Sequence, residues 1–341
     1  MQKIEQSTIS QVKSLLVNNP KILIITHNNP DGDALGSTLG LFHCLKNQGF
    51  WVAMITPNDF PEFLQWMPGN ELIVSGFSAK NLAIDRITNV DLIFCLDFNQ
   101  ANRLASLEET FNKSKAKKIL IDHHPNPGNF PDICISDVTV SSCAEKVWQL
   151  MNLMDWKKYI DLKVAECIFA GIMTDTGAFS FNSSTQDTYK VVSELLDYGV
   201  NKDRIFDLVY NNFSADRMRL LGYCLEQKMK VFPEYKTAFI SITKQELNNF
   251  NFKSGDTEGF VNYPLSIKGI KFAALFIENK SFIKASFRSK GAFNVNELAK
   301  THFEGGGHIN AAGGEFKGSM EENNAFFEGL LPSYKNKLIE E

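Results

Sequence analysis

The first half of this chain alternates short apolar runs with segments of helical spacing. KILIIT (21–26) is an uninterrupted apolar run, and a helical pattern that ends in glycine follows over 33–49. WVAMI (51–55), DLIFCL (91–96) and KKILI (117–121) are further runs of strand length. Apolar runs of this length, separated by helices, are typical of a parallel sheet with helices on both faces. The predicted fold class is therefore α/β.

The second half predicts a further, smaller α/β domain. Helical patterns dominate from about 141 to 230, and strand-length runs return at 237–242, 271–277 and 281–287, with helical spacing over 294–303. A chain of 341 residues also exceeds the ~250–300 residues that a single core supports. The predicted boundaries are 1–200 for the first domain, 201–230 for a helical linker and 231–341 for the second domain.

Composition excludes several classes of protein. A net charge of −4 argues against a general binder of duplex DNA, which needs a basic face. The six cysteines include no CxxC pair, and Cys95, Cys134 and Cys167 lie in apolar runs, so we expect buried, reduced thiols. The N-terminal segment does not have the pattern of a secretion signal, and no apolar stretch reaches the ~18 residues of a membrane span. These features predict a cytoplasmic protein without membrane contact.

Polar clusters follow three of the predicted strands. The first cluster contains His27, Asp31 and Asp33, the second is Asp97, and the third is Asp122, His123 and His124. Ligands of open parallel sheets bind beyond the carboxyl ends of the strands, so we expect these clusters to converge. Asp175, at the end of an apolar helical segment, is a fourth candidate.

These residue types predict a two-metal site. Carboxylates and imidazoles without sulfur suit manganese, magnesium or zinc. Packed carboxylates repel one another unless a cation neutralises them, and two ions about 3.5–4 Å apart activate water and stabilise charge on a phosphoryl group. Asp97, alone on its strand, is the predicted bridge. Each cluster taken alone also fits an ordinary turn or helix cap, but three of the six histidines fall within them.

A second signal lies in the C-terminal third. The glycine-rich run 305–314 can form a phosphate cradle if it opens a helix, or it can be a plain turn. No Gly-Lys-Ser/Thr follows it, so it is not a P-loop. Arg288 lies at a predicted strand end and can bind phosphate in a bidentate manner. Seven Lys or Arg residues against two Glu between 268 and 300 indicate an anionic ligand.

Together these motifs resemble a DHH-type phosphoesterase followed by a DHH-associated C-terminal domain. Within that group, the chain is most similar to stand-alone bacterial enzymes that degrade very short RNAs and dephosphorylate 3′-phosphoadenosine 5′-phosphate (pAp). The resemblance covers nearly the whole chain. Its motifs are H-x-x-P-D-x-D-A-x-G-S at 27–37, D-F-N-Q-A-N-R at 97–103, D-H-H at 122–124, T-D-T-G at 174–177 and G-G-G-H-x-x-A-A-G at 305–313.

The resemblance implies a role for each motif residue. Two divalent ions are implied, usually manganese, with magnesium as the alternative. The implied ligands of one ion are His27, Asp31 and Asp97, and those of the other are Asp33, Asp97, His123 and Asp175. Asp97, Asp122 and His124 are the implied catalytic residues: His124 faces the scissile phosphate and Asp122 orients the histidine pair. The implied substrate contacts are Arg103, Arg288, Ser289, Gly306, Gly307 and His308. A parallel-sheet catalytic domain and a smaller mixed-sheet domain that closes over the substrate are also implied.

The function that this resemblance implies is hydrolysis of short oligoribonucleotides to mononucleotides, with pAp as a second substrate. The alternatives are a phosphodiesterase for linear dinucleotides, a pyrophosphatase or exopolyphosphatase, and a non-catalytic nucleotide-binding module. The complete set of ligands argues against the last of these. The expected partner is short RNA or a small nucleotide, with no duplex DNA and no membrane. The sequence leaves the oligomeric state open, including a homodimer.

Overall fold

The computed structural model describes residues 4–253 and 255–339, which divide into two compact units. One unit ends at Asn212 and the other begins at Phe213. This division falls inside the segment 201–230, for which the sequence predicts a linker. Among the described residues, every helix is too short or too polar to cross a bilayer.

The first unit is built on a six-stranded parallel sheet. Its strands are β1 (Ile22–Thr26), β2 (Val52–Thr56), β3 (Ile73–Ser75), β4 (Leu92–Leu96), β5 (Lys117–Asp122) and β6 (Ile133–Ser136). They are ordered β3-β2-β1-β4-β5-β6, and each neighbouring pair is parallel. The chain therefore builds outward from β1 to β3, then returns to β4 on the other side of β1. The carboxyl ends of β1 and β4 flank this switch point, where open α/β sheets bind ligands.

Helices cover both faces of this sheet, as the sequence predicts. They are α1 (Gln6–Leu16), α2 (Gly32–Asn47), α3 (Lys80–Thr88), α4 (Glu108–Lys113), α5 (Cys143–Leu153), α6 (Leu162–Asp175), α7 (Gln186–Asp197) and α8 (Lys202–Tyr210). In β1, Ile22 and Ile24 pack into one hydrophobic core, whereas Leu23 and Ile25 pack into the other. Burial on both faces explains why the strands read as continuous apolar runs.

Glycines allow helices α2 and α6 to approach each other closely. A β-carbon on Gly36 would lie 2.5 Å from the carbonyl oxygen of Cys167 and 2.7 Å from the amide nitrogen of Gly171. One on Gly32 would meet the side chain of Thr174 at 2.3 Å. The start of α2 therefore lies against the end of α6. This contact brings the carboxylate-bearing ends of both helices to the same edge of the unit.

The second unit contains a six-stranded mixed sheet. Its strands are β7 (Met229–Phe232), β8 (Thr237–Ile242), β9 (Phe272–Glu278), β10 (Ile283–Ser289), β11 (Gly306–Gly307) and β12 (Ala311–Phe316). The order is β11-β12-β10-β9-β8-β7, with β8 and β9 parallel and the other pairs antiparallel. The helices are α9 (Ala215–Tyr223), α10 (Lys244–Asn249), α11 (Val295–His302) and α12 (Met320–Ile339). The predicted mixed-sheet α/β domain is confirmed.

Both faces of the second sheet carry a hydrophobic core. One face is rich in phenylalanine, including Phe239, Phe272 and Phe276, and it packs against Phe327 of α12. The opposite face packs against Leu220 of α9. Helix α9 lies inside the predicted linker, yet its apolar residues form part of this core.

The glycine-rich run, for which the sequence leaves a helix start or a plain turn open, does not open a helix. Its residues form the short strand β11 and most of β12. A β-carbon on Gly305 would lie 2.0 Å from the carbonyl oxygen of Gly313, and one on Gly314 would lie 2.4 Å from that of Phe303. Gly305 and Gly314 are therefore required, because the backbone segments around them leave no room for a side chain.

Cys134 is exposed, although its apolar run predicts a buried thiol. It lies on β6, the edge strand of the parallel sheet, where burial alternates from one residue to the next. Cys95 and Cys167 are buried as predicted.

The contact between α2 and α6 makes a prediction for stability. Glycine to alanine normally stabilises a helix interior by about 0.5–1 kcal/mol. Gly36→Ala should instead destabilise the protein by roughly 1–3 kcal/mol, because the new methyl group meets backbone atoms that cannot rotate away. Urea denaturation of Gly36→Ala and the wild type measures this difference in the free energy of unfolding.

Gly222→Ala in α9 is the matched control, since no heavy atom lies within 4 Å of the β-carbon it would add. This variant should be as stable as the wild type or more so. Equal stability of the Gly36 and Gly222 variants would contradict the close contact between the helices.

Candidate metal centre

The six predicted ligands come together at the carboxyl edge of the parallel sheet. His27 follows β1, Asp97 follows β4, His123 follows β5, Asp31 and Asp33 lie at the start of α2, and Asp175 ends α6. Their donor atoms form two groups, His27 with Asp31 and Asp97, and Asp33 with His123 and Asp175. Within each group these atoms all lie within 4.8 Å of one another.

The first group is oriented by backbone contacts. Nδ1 of His27 lies 2.9 Å from the carbonyl oxygen of Asn28, and an N–H donated there turns Nε2 toward the site. Nε2 lies 3.4 Å from Oδ2 of Asp97. Oδ1 of Asp31 accepts hydrogen bonds from the amides of Asp33 and Ala34, so Asp31 also caps helix α2. The cap fixes the direction of this carboxylate.

The second group is centred on the imidazole of His123. Its Nε2 lies 3.8 Å from Oδ2 of Asp33 and 3.6 Å from Oδ2 of Asp175. It also lies 3.5 Å from Oδ1 of Asp97. Asp97 thus directs one oxygen toward His27 in the first group and the other toward His123 in the second. This is the position that a bridging carboxylate requires.

The backbone and burial of Asp97 fit a cation ligand. Its φ is 65°, a left-handed conformation that is uncommon outside glycine. The side chain is buried, and within the described part of the chain Oδ1 has no hydrogen-bond partner. A buried carboxylate oxygen without a partner is costly. A divalent cation would satisfy it, and the surrounding oxygen and nitrogen donors suit such an ion.

The electrostatics of the cluster point the same way. Burial and the negative charges of Asp97 and Asp175 raise the pKa of Asp33 well above its usual range. Burial raises the pKa of Asp175 to about 6, against the opposing charge of His123. Burial would also raise the pKa of Asp97, but the imidazoles of His123 and His27 outweigh it and the pKa is lowered. Burial alone would lower the pKa of both histidines, but the carboxylates raise it. A cation bound here would therefore displace protons from the cluster.

Asp122 orients both histidines that follow β5. Its Oδ1 accepts the backbone N–H of His123 at 2.9 Å and lies 2.8 Å from Nδ1 of His124. The side chain of His124 is 21% exposed, compared with 5% for His123. His124 is therefore the more accessible ring, and its Nε2 is the atom directed away from Asp122.

The predicted substrate contacts fall in both units. Arg103 is exposed in the first unit, and its carbonyl oxygen accepts the amide of Asn28 at 2.8 Å, so its backbone lies next to His27. Arg288 lies in β10 opposite Ala311 of β12, and the amide of His308 donates to the carbonyl of Ala311 at 2.7 Å. Gly306 and Gly307 form β11 beside β12. Arg288, Gly306 and Gly307 thus lie on two of three neighbouring strands of this sheet, on either side of β12, which His308 contacts through its backbone.

Ser289 is buried at the end of β10, and its hydroxyl is engaged within the second unit. It donates to the carbonyl of Phe293 at 2.6 Å and accepts from the side-chain amide of Asn310 at 2.9 Å. These bonds connect the end of β10 to the turn before β12.

The helical pattern from about 141 predicts helix α5, but not that its first turn contacts the site. The backbone amides of Cys143 and Ala144 donate to the two carboxylate oxygens of Asp33, at 2.6 and 2.9 Å. The signal was present in S-S-C-A-E, in which a serine N-cap, Ser142, precedes Glu145 by three residues. The sequence therefore predicts the helix start, but not its contact with Asp33.

Comparison with known proteins agrees with this geometry. Residues 21–172 match the profile described as DHH family, N-terminal domain, and residues 236–331 match the DHHA1 domain. The chain belongs to the DHH family of phosphoesterases.

Relatives of known name cover most of the chain. The bifunctional oligoribonuclease and PAP phosphatase NrnA of Bacillus subtilis is 29% identical over 298 residues, 86% of this chain and 88% of that protein. The protein of the same name from Thermus thermophilus is 29% identical over 323 residues, 93% of this chain and 90% of its own. A crystal structure of an exopolyphosphatase-related protein from Bacteroides fragilis is 44% identical. It covers 99% of both chains with a TM-score of 0.94.

The position of Asp97 predicts how its removal affects metal binding. Asp97→Asn keeps the size of the side chain and tolerates the left-handed backbone, but it removes the charge between the two ligand groups. We expect Mn²⁺ affinity to fall by more than the ~10–100-fold typical of an outer-shell change, with loss of turnover. Electron paramagnetic resonance of free Mn²⁺ measures metal binding, and circular dichroism shows whether the variant is folded.

Asp132→Asn is the control, because Asp132 accepts hydrogen bonds from Lys117 and Lys118 at the far end of β5. This variant should bind Mn²⁺ as the wild type does. Wild-type Mn²⁺ binding by the Asp97 variant would contradict the bridging position.

Proposed function

We propose that this chain is a two-metal phosphoesterase that hydrolyses short oligoribonucleotides to mononucleotides and also removes a phosphate from pAp. The carrying observation is Asp97, which directs one oxygen toward each of two ligand groups. The names of the relatives from Bacillus subtilis and Thermus thermophilus support the substrate class. In this proposal the first unit carries the catalytic residues and the second contributes substrate contacts.

The proposed ligands of one ion are His27, Asp31 and Asp97, and those of the other are Asp33, Asp97, His123 and Asp175. We propose manganese as the preferred ion, with magnesium as the alternative, because the donors are oxygen and nitrogen. When bound, the two ions supply Lewis-acid activation of the phosphate ester and of the attacking water.

The protein side chains move and hold protons around this chemistry. Asp122 accepts a hydrogen bond from Nδ1–H of His124, which leaves Nε2 facing the reaction. With Nε2 also protonated, the imidazolium gives that proton to the leaving oxygen, and solvent water then restores it. Asp122 also accepts the backbone N–H of His123, so one carboxylate holds the ring of His124 and the backbone of His123. The proposed catalytic residues are therefore Asp97, Asp122 and His124.

The proposed substrate contacts are Arg103, Arg288, His308, Gly306 and Gly307. Arginine guanidinium groups bind phosphate in a bidentate manner, and the glycine backbone lets a ligand approach closely. Ser289 was predicted to contact substrate. Because its hydroxyl bonds to Phe293 and Asn310, we propose that it holds the strand end that carries Arg288.

Polyphosphate hydrolysis is the second candidate function. The observation in its favour is the name of the Bacteroides fragilis structure, an exopolyphosphatase-related protein that is 44% identical. Hydrolysis of linear dinucleotides is contained in the leading proposal, since a dinucleotide is the shortest oligoribonucleotide. The location in the cytoplasm and the oligomeric state stay predictions from the sequence.

A substrate panel tests the leading proposal against the second candidate. Protein stripped of metal by chelation should be inactive, and Mn²⁺ should restore hydrolysis of linear diadenylate and pAp more than of pyrophosphate or polyphosphate. Rates are measured by chromatography of the products. Faster release of phosphate from polyphosphate than of mononucleotide from diadenylate would favour the second candidate.

Chain length should limit the rate on RNA. Binding along a long single strand needs a basic groove with stacking platforms, whereas this protein has a net charge of −4. We expect kcat/KM to be highest for RNAs of a few nucleotides and to fall steeply with length. A ladder of single-stranded RNAs at fixed salt measures it, and a flat or rising profile would contradict this prediction.

Arg288→Ala should weaken substrate binding. Loss of a charge-assisted hydrogen bond costs about 1.5–3 kcal/mol, which corresponds to a fall of roughly 10–100-fold in kcat/KM. The effect should lie mainly in KM, because the ester bond is cleaved at the metal site of the first unit, whereas Arg288 only holds the substrate. Lys284→Ala is the control, since it removes an exposed positive charge from the same strand. Equal kinetics of both variants would remove Arg288 from the substrate contacts.

A further inference from the structure

Glu145 is a fully buried carboxylate outside the set of proposed metal ligands. Its Oε2 accepts hydrogen bonds from the amide of Ser141 at 3.1 Å and from the hydroxyl of Ser141 at 2.5 Å. The same oxygen accepts from the hydroxyl of Thr188 at 2.9 Å. These donors are neutral, so the buried charge is stabilised by hydrogen bonds and by its place in the first turn of α5. Burial of a carboxylate costs free energy, so the contacts that Glu145 makes must stabilise the surrounding structure.

Glu145 lies in the first turn of the helix whose first two amides bind Asp33. The first amides of an α-helix have no partner within the helix. In α5, the amides of Cys143 and Ala144 donate to the two oxygens of Asp33, and the amide of Glu145 donates to the hydroxyl of Ser142. The direction of the Asp33 carboxylate therefore follows the position of this turn. A small shift of α5 would rotate Asp33 relative to His123, 3.8 Å away.

The same network reaches the segment that follows Asp175. The side-chain amide of Asn182 donates to the carbonyl of Ser141 at 3.1 Å. Thr188 belongs to α7, and its hydroxyl lies 2.8 Å from that of Thr185, the N-cap of the helix. Ser141 is thus bonded both to Glu145 and to the chain that leaves Asp175. The turn at Ser141 therefore connects helix α5, which binds Asp33, to the segment that follows Asp175.

In an ordinary capping box the glutamate accepts from the amide of the N-cap residue itself. Here the carboxylate instead reaches Ser141, the residue before the N-cap Ser142, and crosses to Thr188. Helix capping alone does not require this arrangement, which instead ties the turn before α5 to helix α7.

We infer that Glu145 is a positioning residue that holds the first turn of α5 against Asp33 and so sets the metal affinity of the group formed by Asp33, His123 and Asp175. The inference rests on the proposed two-metal function. Glu145 touches no donor atom of the site directly and acts through the amides of Cys143 and Ala144. Its loss should therefore appear first in metal binding, and in turnover only where metal is limiting.

Glu145→Gln tests the inference. Glutamine keeps the size of the side chain, but it loses the charge and turns an amide toward donors. We expect the dissociation constant of one of two Mn²⁺ ions to rise by about 10–100-fold, as for other partners of ligating groups. Free Mn²⁺ is measured by electron paramagnetic resonance on the full chain. At saturating Mn²⁺ the kcat on diadenylate should return toward the wild-type value.

Thr188→Val is the second variant, because it removes one donor to Glu145 with little change in volume. It should weaken the same Mn²⁺ ion, to a smaller degree. Glu194→Gln is the matched control. Glu194 also connects α7 to α5, through hydrogen bonds from Trp148 and Asn152, but it does not bond to the turn that holds Asp33. Its Mn²⁺ affinity should equal that of the wild type.

The outcomes separate this inference from the proposed function. Mn²⁺ affinities of the Glu145 and Thr188 variants equal to that of the control would overturn the inference, even if their thermal stability falls. If Glu145→Gln does not fold, unchanged affinity in Thr188→Val overturns it. Wild-type protein that binds no Mn²⁺ overturns the two-metal function instead. Mn²⁺ binding without hydrolysis of diadenylate or pAp overturns the substrate proposal and leaves the role of Glu145 standing.

Discussion

The crowding of four buried or half-buried carboxylates at one edge of the parallel sheet is the constraint on which the site depends. Asp31, Asp33, Asp97 and Asp175 approach the same two imidazoles, His27 and His123. Their mutual repulsion is strong because water is largely excluded. Each carboxylate must therefore find a compensating partner in the fold. Helix amides, histidine rings and the proposed cations serve that need together.

Two helix N-termini supply much of this compensation. Asp31 caps α2 through the amides of Asp33 and Ala34, and Asp33 in turn receives the first amides of α5. Each contact places a negative group at the positive end of a helix dipole. The close packing of α2 on α6 then fixes where α2 begins relative to Asp175. The backbone thus orients the carboxylates before any ligand binds.

The second unit solves a different packing problem. Its sheet is covered by a phenylalanine-rich core on one face, and its edge is closed by glycine strands that pack backbone against backbone. By sequence alone, the run Gly305 to Gly314 fits the start of a helix as well as a tightly packed strand pair, because glycine suits both. What distinguishes them is the distance to neighbouring carbonyl groups, and this depends on residues far away in the sequence. Arg288 and His308 are placed by the same strand pairing.

The sequence by itself determined the parallel sheet and the candidate ligands. Strands buried on both faces read as continuous apolar runs, and the polar residues that follow them must lie at one edge. The T-D-T-G motif also placed Asp175 among the candidate ligands. Only the tertiary structure decided the partners: Asp97 between two groups, Asp33 beneath α5, and Cys134 on an exposed edge. These contacts join residues more than about a helix length apart in the chain, where spacing and propensity carry no information. Direction, distance and burial arise only when α2, α5 and α6 pack together.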